Sequence, residues 1–343
     1  MRKLWKKIVG LGLIGTMMMS FVGCSSQGES SSDGKSNIKV GIVADGAGFG
    51  SHSFNDIALN GTKKATEEFG LELLEMEVKE ESDKANTLRT LVGQGVNFFI
   101  IPGMGMVDAV KEVSLEYPDV KFAVLDTGVE GVENITSAQY REHEAAFLLG
   151  ALGASLTETK KIGFIGGVRG EIQDRFEYGY RAGANYVDPS VEVVTSYTGT
   201  FGDVGKGKEI AAMMYKQGID YIAPTAGACN LGVFQAANEG NMKCFGAADG
   251  QFHNMPDNIL ASQVKYIDNV AYDVIKDEVS GTFAGGQVKE YGLSEGGVGL
   301  LYTSNETLKS SIPEDVVNKI KDIEEKVKNG EISIPKNEQE FKK

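Results

Sequence analysis

Ile38-Lys39-Val40-Gly41-Ile42-Val43 is an apolar run with no polar alternation, and it is followed by an amphipathic stretch over residues 53–69, then Gly70, then a second apolar run over 71–78. A short continuous apolar run suits a strand buried on both faces, and a helix-length interval before the next run suits a crossover connection. The unit recurs. Further runs fall at 97–101, 121–125 and, less regularly, 134–138, with helical stretches at 83–93 and 107–117 between them. A second series follows, with runs at 161–165, 191–196, 220–223 and 242–247 and helices at 142–156, 172–186, 205–217 and 231–239. Several of the helices end at a glycine (Gly70, Gly95, Gly218, Gly240), as expected where a helix stops in a left-handed residue.

Two series of strand–helix units predict an α/β chain of two doubly wound parallel-sheet lobes. The break between them falls near residues 138–140, before the helix at 142–156. The last segment starts no third domain: 266–279 suits one helix, 287–301 is Gly-rich and extended, and 313–328 is a charged amphipathic helix. The simplest placement gives residues 38–138 and 264–290 to an N-terminal lobe, and 139–263 and 297–343 to a C-terminal lobe. Several crossings then form a hinge, with a ligand cleft at the carboxyl ends of the strands. This layout resembles type I substrate-binding proteins.

The N-terminus points outside the cell. Arg2, Lys3, Lys6 and Lys7 precede an apolar run over 8–22 that is short for a membrane span, and Ser20-Phe21-Val22-Gly23-Cys24 resembles a lipobox. On that reading residues 1–23 are a lipoprotein signal peptide and Cys24 carries a diacylglycerol. Residues 24–37, rich in Ser and Gly, form a flexible tether. The full chain has a net charge of −14, and losing a basic leader makes it more acidic, which excludes phosphate-backbone recognition and hence a nucleic-acid partner. Beyond Cys24 only Cys229 and Cys244 remain; buried free thiols are preferred over one disulfide. His52, His143 and His253 lack metal-ligand spacing, so neither a metal nor a cofactor is expected. No nucleophile elbow or dinucleotide fingerprint is present either, which argues against an enzyme.

In parallel sheets the informative residues follow the strands. After the first run comes Asp45-Gly46-Ala47-Gly48-Phe49-Gly50-Ser51-His52-Ser53-Phe54-Asn55, a loop free to approach a ligand, with Ser53 as a helix cap and Phe54 as a stacking platform. After 191–196 comes Tyr197-Thr198-Gly199-Thr200-Phe201-Gly202-Asp203, so Phe54 and Phe201 from opposing lobes can clamp a flat ring. Asp45, Asp126 and Asp249 stand at equivalent strand ends, where a carboxylate takes hydrogen bonds from neighbouring hydroxyls or a ring N–H. Lys265, near the second crossing, can donate to a ligand or pair with one of these aspartates.

The stretches Asp45…Ser53-Phe54-Asn55, Phe201-Gly202-Asp203, Ala226-Gly227…Gly232-Val233, Gly246…Asp249 and Ser262…Lys265 occur in the order found in the basic membrane protein family of nucleoside-binding lipoproteins, and the resemblance covers essentially the whole mature chain. The resemblance implies that Phe54 and Phe201 sandwich a purine and that Asp45, Asn55 and Asp126 meet the base or sugar. It further implies that Asp249 with Lys265 holds the ribose, and that Gly227 allows close backbone approach. The implied ligand is guanosine, inosine or adenosine, and the implied partner is the permease of an ABC importer, reached from the extracytoplasmic face of the cell membrane. Two stretches depart from the family pattern: Gly50-Ser51-His52 replaces acidic or Lys residues, and Ala226-Gly227-Ala228-Cys229-Asn230 replaces a more Gly- and Thr-rich version. Both bear on which base or sugar is preferred. Two rivals share the fold: a protein binding a sugar or sugar-like signal, and a ligand-sensing lipoprotein without transport.

Overall fold

In the computed structural model the described residues are 37–45, 48–50, 54–78 and 80–343, without the side chains of Glu81 and Asp249. The expected leader, the lipidation residue Cys24, nearly all of the tether, and the capping residue Ser53 lie outside them.

The first series folds as β1 (Lys39–Ala44), α1 (Phe54–Phe69), β2 (Glu72–Glu77), α2 (Lys84–Gly93), β3 (Phe98–Pro102), α3 (Val107–Glu116), β4 (Lys121–Leu125) and β5 (Ile135–Tyr140). The second continues as α4 (Glu142–Leu156), β6 (Lys161–Gly166), α5 (Glu171–Val187), β7 (Glu192–Tyr197), α6 (Val204–Lys216), β8 (Tyr221–Thr225), α7 (Cys229–Glu239) and β9 (Lys243–Gly246). A closing segment carries β10 (Ile259–Lys265), α8 (Ile267–Val279), β11 (Val288–Tyr291), β12 (Val298–Tyr302), α9 (Glu306–Lys309), α10 (Glu314–Lys328) and α11 (Glu338–Phe341).

Two six-stranded sheets result, in the orders β11-β5-β4-β3-β1-β2 and β12-β10-β9-β8-β6-β7. Every pairing is parallel except that β12 runs antiparallel to β10. The shared core order, 2-1-3-4-5 in the first sheet and its equivalent in the second, reverses between β1 and β3 and again between β6 and β8, and such reversals are where doubly wound sheets bind ligands. The inner strand β3 is buried throughout and β10 is buried up to Lys265, whereas the edge strand β2 has only exposed and half-buried residues and carries three glutamates. Charged, short edges of this kind discourage pairing with other chains.

One apolar cluster joins both lobes through α4 and α8, with Val40 and Ile42 on one side and Ile162 and Phe164 on the other. Separate clusters fill the outer faces, with Leu88, Leu91, Val110 and Val113 under α2 and α3 and Ile210, Met214 and Val233 under α6 and α7. Gly70, Gly95 and Gly218 do take positive φ after their helices. Gly240 does not: it ends α7 at φ −85°, and Asn241 takes the left-handed turn at φ 50°. Asn tolerates that region through local side-chain hydrogen bonding, so the turn moves one residue on. Cys229 and Cys244 are both buried free thiols. Among the described residues no helix is long and apolar enough to cross a membrane.

Candidate functional site

One cleft lies between α1 of the first lobe and the strand ends of the second. Its cavity, about 500 Å³, is bordered by Phe54, Ile57 and Asn60 of α1 and by Phe176, Thr225, Gly227, Asn230 and Gln251 of the second lobe. Glu142, Gln263, Lys265 and Tyr266 border it where the chain crosses between lobes. That volume is within the range of small-molecule sites.

The second lobe's wall is fixed by amide side chains. Gln173 accepts from Gly167 N at 3.2 Å and from Thr225 Oγ1 at 2.8 Å, and donates to Thr225 O at 3.0 Å, which ties the β6 and β8 loops together. Asn230 accepts from Ala226 N at 2.7 Å and Gln251 accepts from Ala247 N at 2.8 Å. Between these, Gly227 takes φ 61°, where a Cβ would also lie 2.9 Å from Phe201 O. Only glycine meets both demands at once.

The first lobe's loop is held from below. Glu77 accepts from Phe49 N at 2.8 Å, Asp56 accepts from Gly50 N at 2.6 Å, and buried Asn55 donates to Gly48 O at 3.0 Å. Asn55 therefore ties the start of α1 to the preceding loop at Gly48. Asp45 lies against Gly105, whose Cβ would stand 2.1 Å from Asp45 Oδ2, so a glycine there makes room for the carboxylate.

A chain of alternating charges meets the cavity floor at Glu142 and Lys265. Lys265 Nζ lies 2.6 Å from Asp126 Oδ1 and 2.9 Å from Glu142 Oε1. Glu142 accepts at Oε2 from Arg175 Nε at 2.7 Å, and Arg175 also pairs with Glu171 at 2.8 Å. The Lys265 ammonium sits 5.2 Å from the Tyr140 ring and 5.8 Å from that of Phe176. Burial pushes the Asp126 carboxyl up, and Lys265 only partly offsets this. Burial also pushes Glu142 up, but the charges of Lys265 and Arg175 outweigh it, so Glu142 is held below the usual carboxylate range. Burial disfavours the Lys265 charge, yet Asp126 and Glu142 together raise its pKa. Gln263, also buried, brings an Oε1 with no partner among the described residues.

Of the residues singled out in the sequence, Phe54, Gly227 and Lys265 border the cavity, and Asp126 reaches it through Lys265. Phe201 is not on its lining; it is 47% exposed and packs against Gly167 and Gly227, beside the wall. Asp249 begins a 3-10 turn over Asp249–His253 after β9, and its side chain lies outside the described set. Glu142, Arg175, Phe176, Gln251 and Gln263 stand in helices, in a turn or within a strand, away from the loop positions that mark a site in the sequence. Glu142 carried one usable signal, a carboxylate at the predicted break between the two series.

Among known proteins, residues 38–338 match the family described as ABC transporter substrate-binding protein PnrA-like, Bmp. Basic membrane protein A of Borreliella burgdorferi is 34% identical over 331 residues, 94% of each chain. The CD4+ T-cell-stimulating antigen of Listeria innocua is 29% identical over 348 residues, 93% of this chain and 94% of its own. Among solved structures, an ABC transporter solute-binding protein from Aeropyrum pernix K1 superposes with a TM-score of 0.73 at 26% identity, covering 89% of this chain and 95% of its own.

Proposed function

The chain belongs to the Bmp family of PnrA-like ABC transporter substrate-binding proteins, and on that premise we propose that it captures a purine nucleoside in the inter-lobe cleft and delivers it to the permease of an ABC importer. It does so outside the cell, held to the membrane by a lipid on Cys24, and it binds its ligand without transforming it. The observation that carries this reading is one cavity offering aromatic faces from both lobes, Phe54 and Phe176, above a floor of charged groups centred on Lys265. The rings suit a flat base, and the charges suit the hydroxyls of a ribose. Asp249, just after β9, joins Lys265 on the sugar. Phe201, seated on Gly227, comes over the base as the lobes close.

The charged floor also suits a free sugar, and that is the rival. Thermal unfolding separates the two, because a ligand that binds only the folded state raises the midpoint in proportion to its occupancy. Guanosine, inosine or adenosine at saturation should raise it by several degrees, with ribose and galactose leaving it in place. A rise with the sugars alone would give the cleft to the rival.

A further inference from the structure

We propose that Glu142 and Arg175 are positioning residues for ligand capture, which hold the Lys265 ammonium so that it is shared between Asp126 and the ligand instead of closing wholly onto Asp126. The identity of the ligand rests on the nucleoside reading above; the placement rests on geometry. Lys265 ends β10 at the second crossing, Glu142 opens α4 at the first, and Asp126 follows β4 in the first lobe. An ammonium has three donors. Asp126 takes one at 2.6 Å and Glu142 a second at 2.9 Å, which leaves the third for a ligand hydroxyl. Without Glu142, Asp126 would be the one carboxylate left on it among the described residues, already at short range.

Glu142 is itself held. Its side chain is fully buried, and Arg175 grips it with Nε at 2.7 Å and a second, longer contact at 3.5 Å. Arg175 in turn is tied to Glu171 one turn earlier on α5. The next residue on that helix is Phe176, whose ring, like that of Tyr140, lies within 6 Å of the ammonium. One helix thus sets both a cavity wall and the orientation of the floor.

Calorimetric titration of the full-length protein in detergent, unfolded and refolded to free it of carried-over ligand, tests this with inosine and its free base hypoxanthine. Glu142→Gln should weaken inosine about tenfold, the scale of one hydrogen bond to a charged group, and hypoxanthine less than twofold, with partial rescue by Glu142→Asp. Equal losses for both ligands, or an unchanged inosine affinity, would overturn the proposal. Should Glu142→Gln fail to fold, Arg175→Lys, which keeps the charge and loses the fork, is judged by the same split. If the wild type binds no nucleoside, the nucleoside reading fails, and a ligand-free crystal structure of Glu142→Gln decides the positioning. Lys265 drawn fully onto Asp126 would sustain it, and Lys265 unmoved would overturn it.

Discussion

Asp126 adopts φ 71°, the left-handed region that non-glycine residues rarely enter, and its backbone N–H is fixed on Ala138 O at 2.7 Å. Such a conformation persists where its surroundings demand it, and here it accompanies the Lys265 contact at the cavity floor. The aromatic residues can be sorted by substitution. Phe54→Ala should weaken nucleoside binding about ten- to a hundredfold, on the scale of one stacked base. Phe176→Ala and Phe201→Ala, measured beside it, identify the second face: the ring that stacks should cost as much as Phe54, the other less than about threefold. No loss in either would remove the clamp. His143 gives a separate, pH-linked test. Burial, then the charge of Lys336, holds its pKa down to about 3, and its Nδ1 has no hydrogen-bond partner among the described residues. An unfolded imidazole titrates near 6.5, so the unfolded chain takes the proton first. Its contribution is intact above about pH 6.5 and is lost toward pH 3, by up to about 1.4 kcal/mol per pH unit. Urea denaturation of His143→Phe should show a shallower loss between pH 6.5 and 4; an identical slope would exclude His143 as a source. Phe54, Gly227 and Lys265 were legible because Gly227 follows a strand closely, Phe54 opens a helix and Lys265 stands just before one. Arg175 and Phe176 were not, since inside a helix a charge looks solvent-facing and a ring looks like core until tertiary packing turns both inward.

Elements were easier to find than contacts between them. The apolar runs predict the inner strands to within a residue or two, because central strands of a parallel sheet have no wet face to interrupt the pattern. β10 escaped that reading: Ser262 and Gln263 break its run, although both are buried, Ser262 donating to Ala248 O at 2.9 Å. What periodicity cannot show is how closely α4 and α5 approach. A Cβ on Gly150 would stand 2.0 Å from Tyr180 O, and one on Gly183 would stand 1.9 Å from Phe147 O, so the two backbones touch. Gly150→Ala should therefore destabilise by about 1–3 kcal/mol despite its better helix propensity. The urea midpoint should fall with an unchanged slope. Gly93→Ala, in α2 with open space around it, is the control and should be neutral or slightly stabilising. A neutral Gly150→Ala would mean that the helices separate at no cost.

At the scale of the whole molecule, the lobes are joined where β5 leads into α4, where β10 leads into α8, and between β11 and β12. Adjacent residues brace all three. Glu142 binds Lys265 at the second, while Arg141 binds Glu144, Ser294 and Glu295 at the third. Glu144 and Glu295 in turn accept from Leu293 N at 2.7 Å and Gly292 N at 2.8 Å. Arg141 is not on the cavity lining, so Arg141→Ala should change every ligand's affinity by one common factor of several-fold, through the open–closed balance alone. Small-angle scattering of the ligand-free protein should shift with it, and a loss confined to one ligand would instead place Arg141 in the site. What the cleft holds is decided by titration calorimetry of the refolded protein with guanosine, inosine, adenosine, cytidine, ribose and galactose. Tight binding of purine nucleosides with no heat from the sugars is the expected result. A clear sugar signal with silence toward every nucleoside would contradict it.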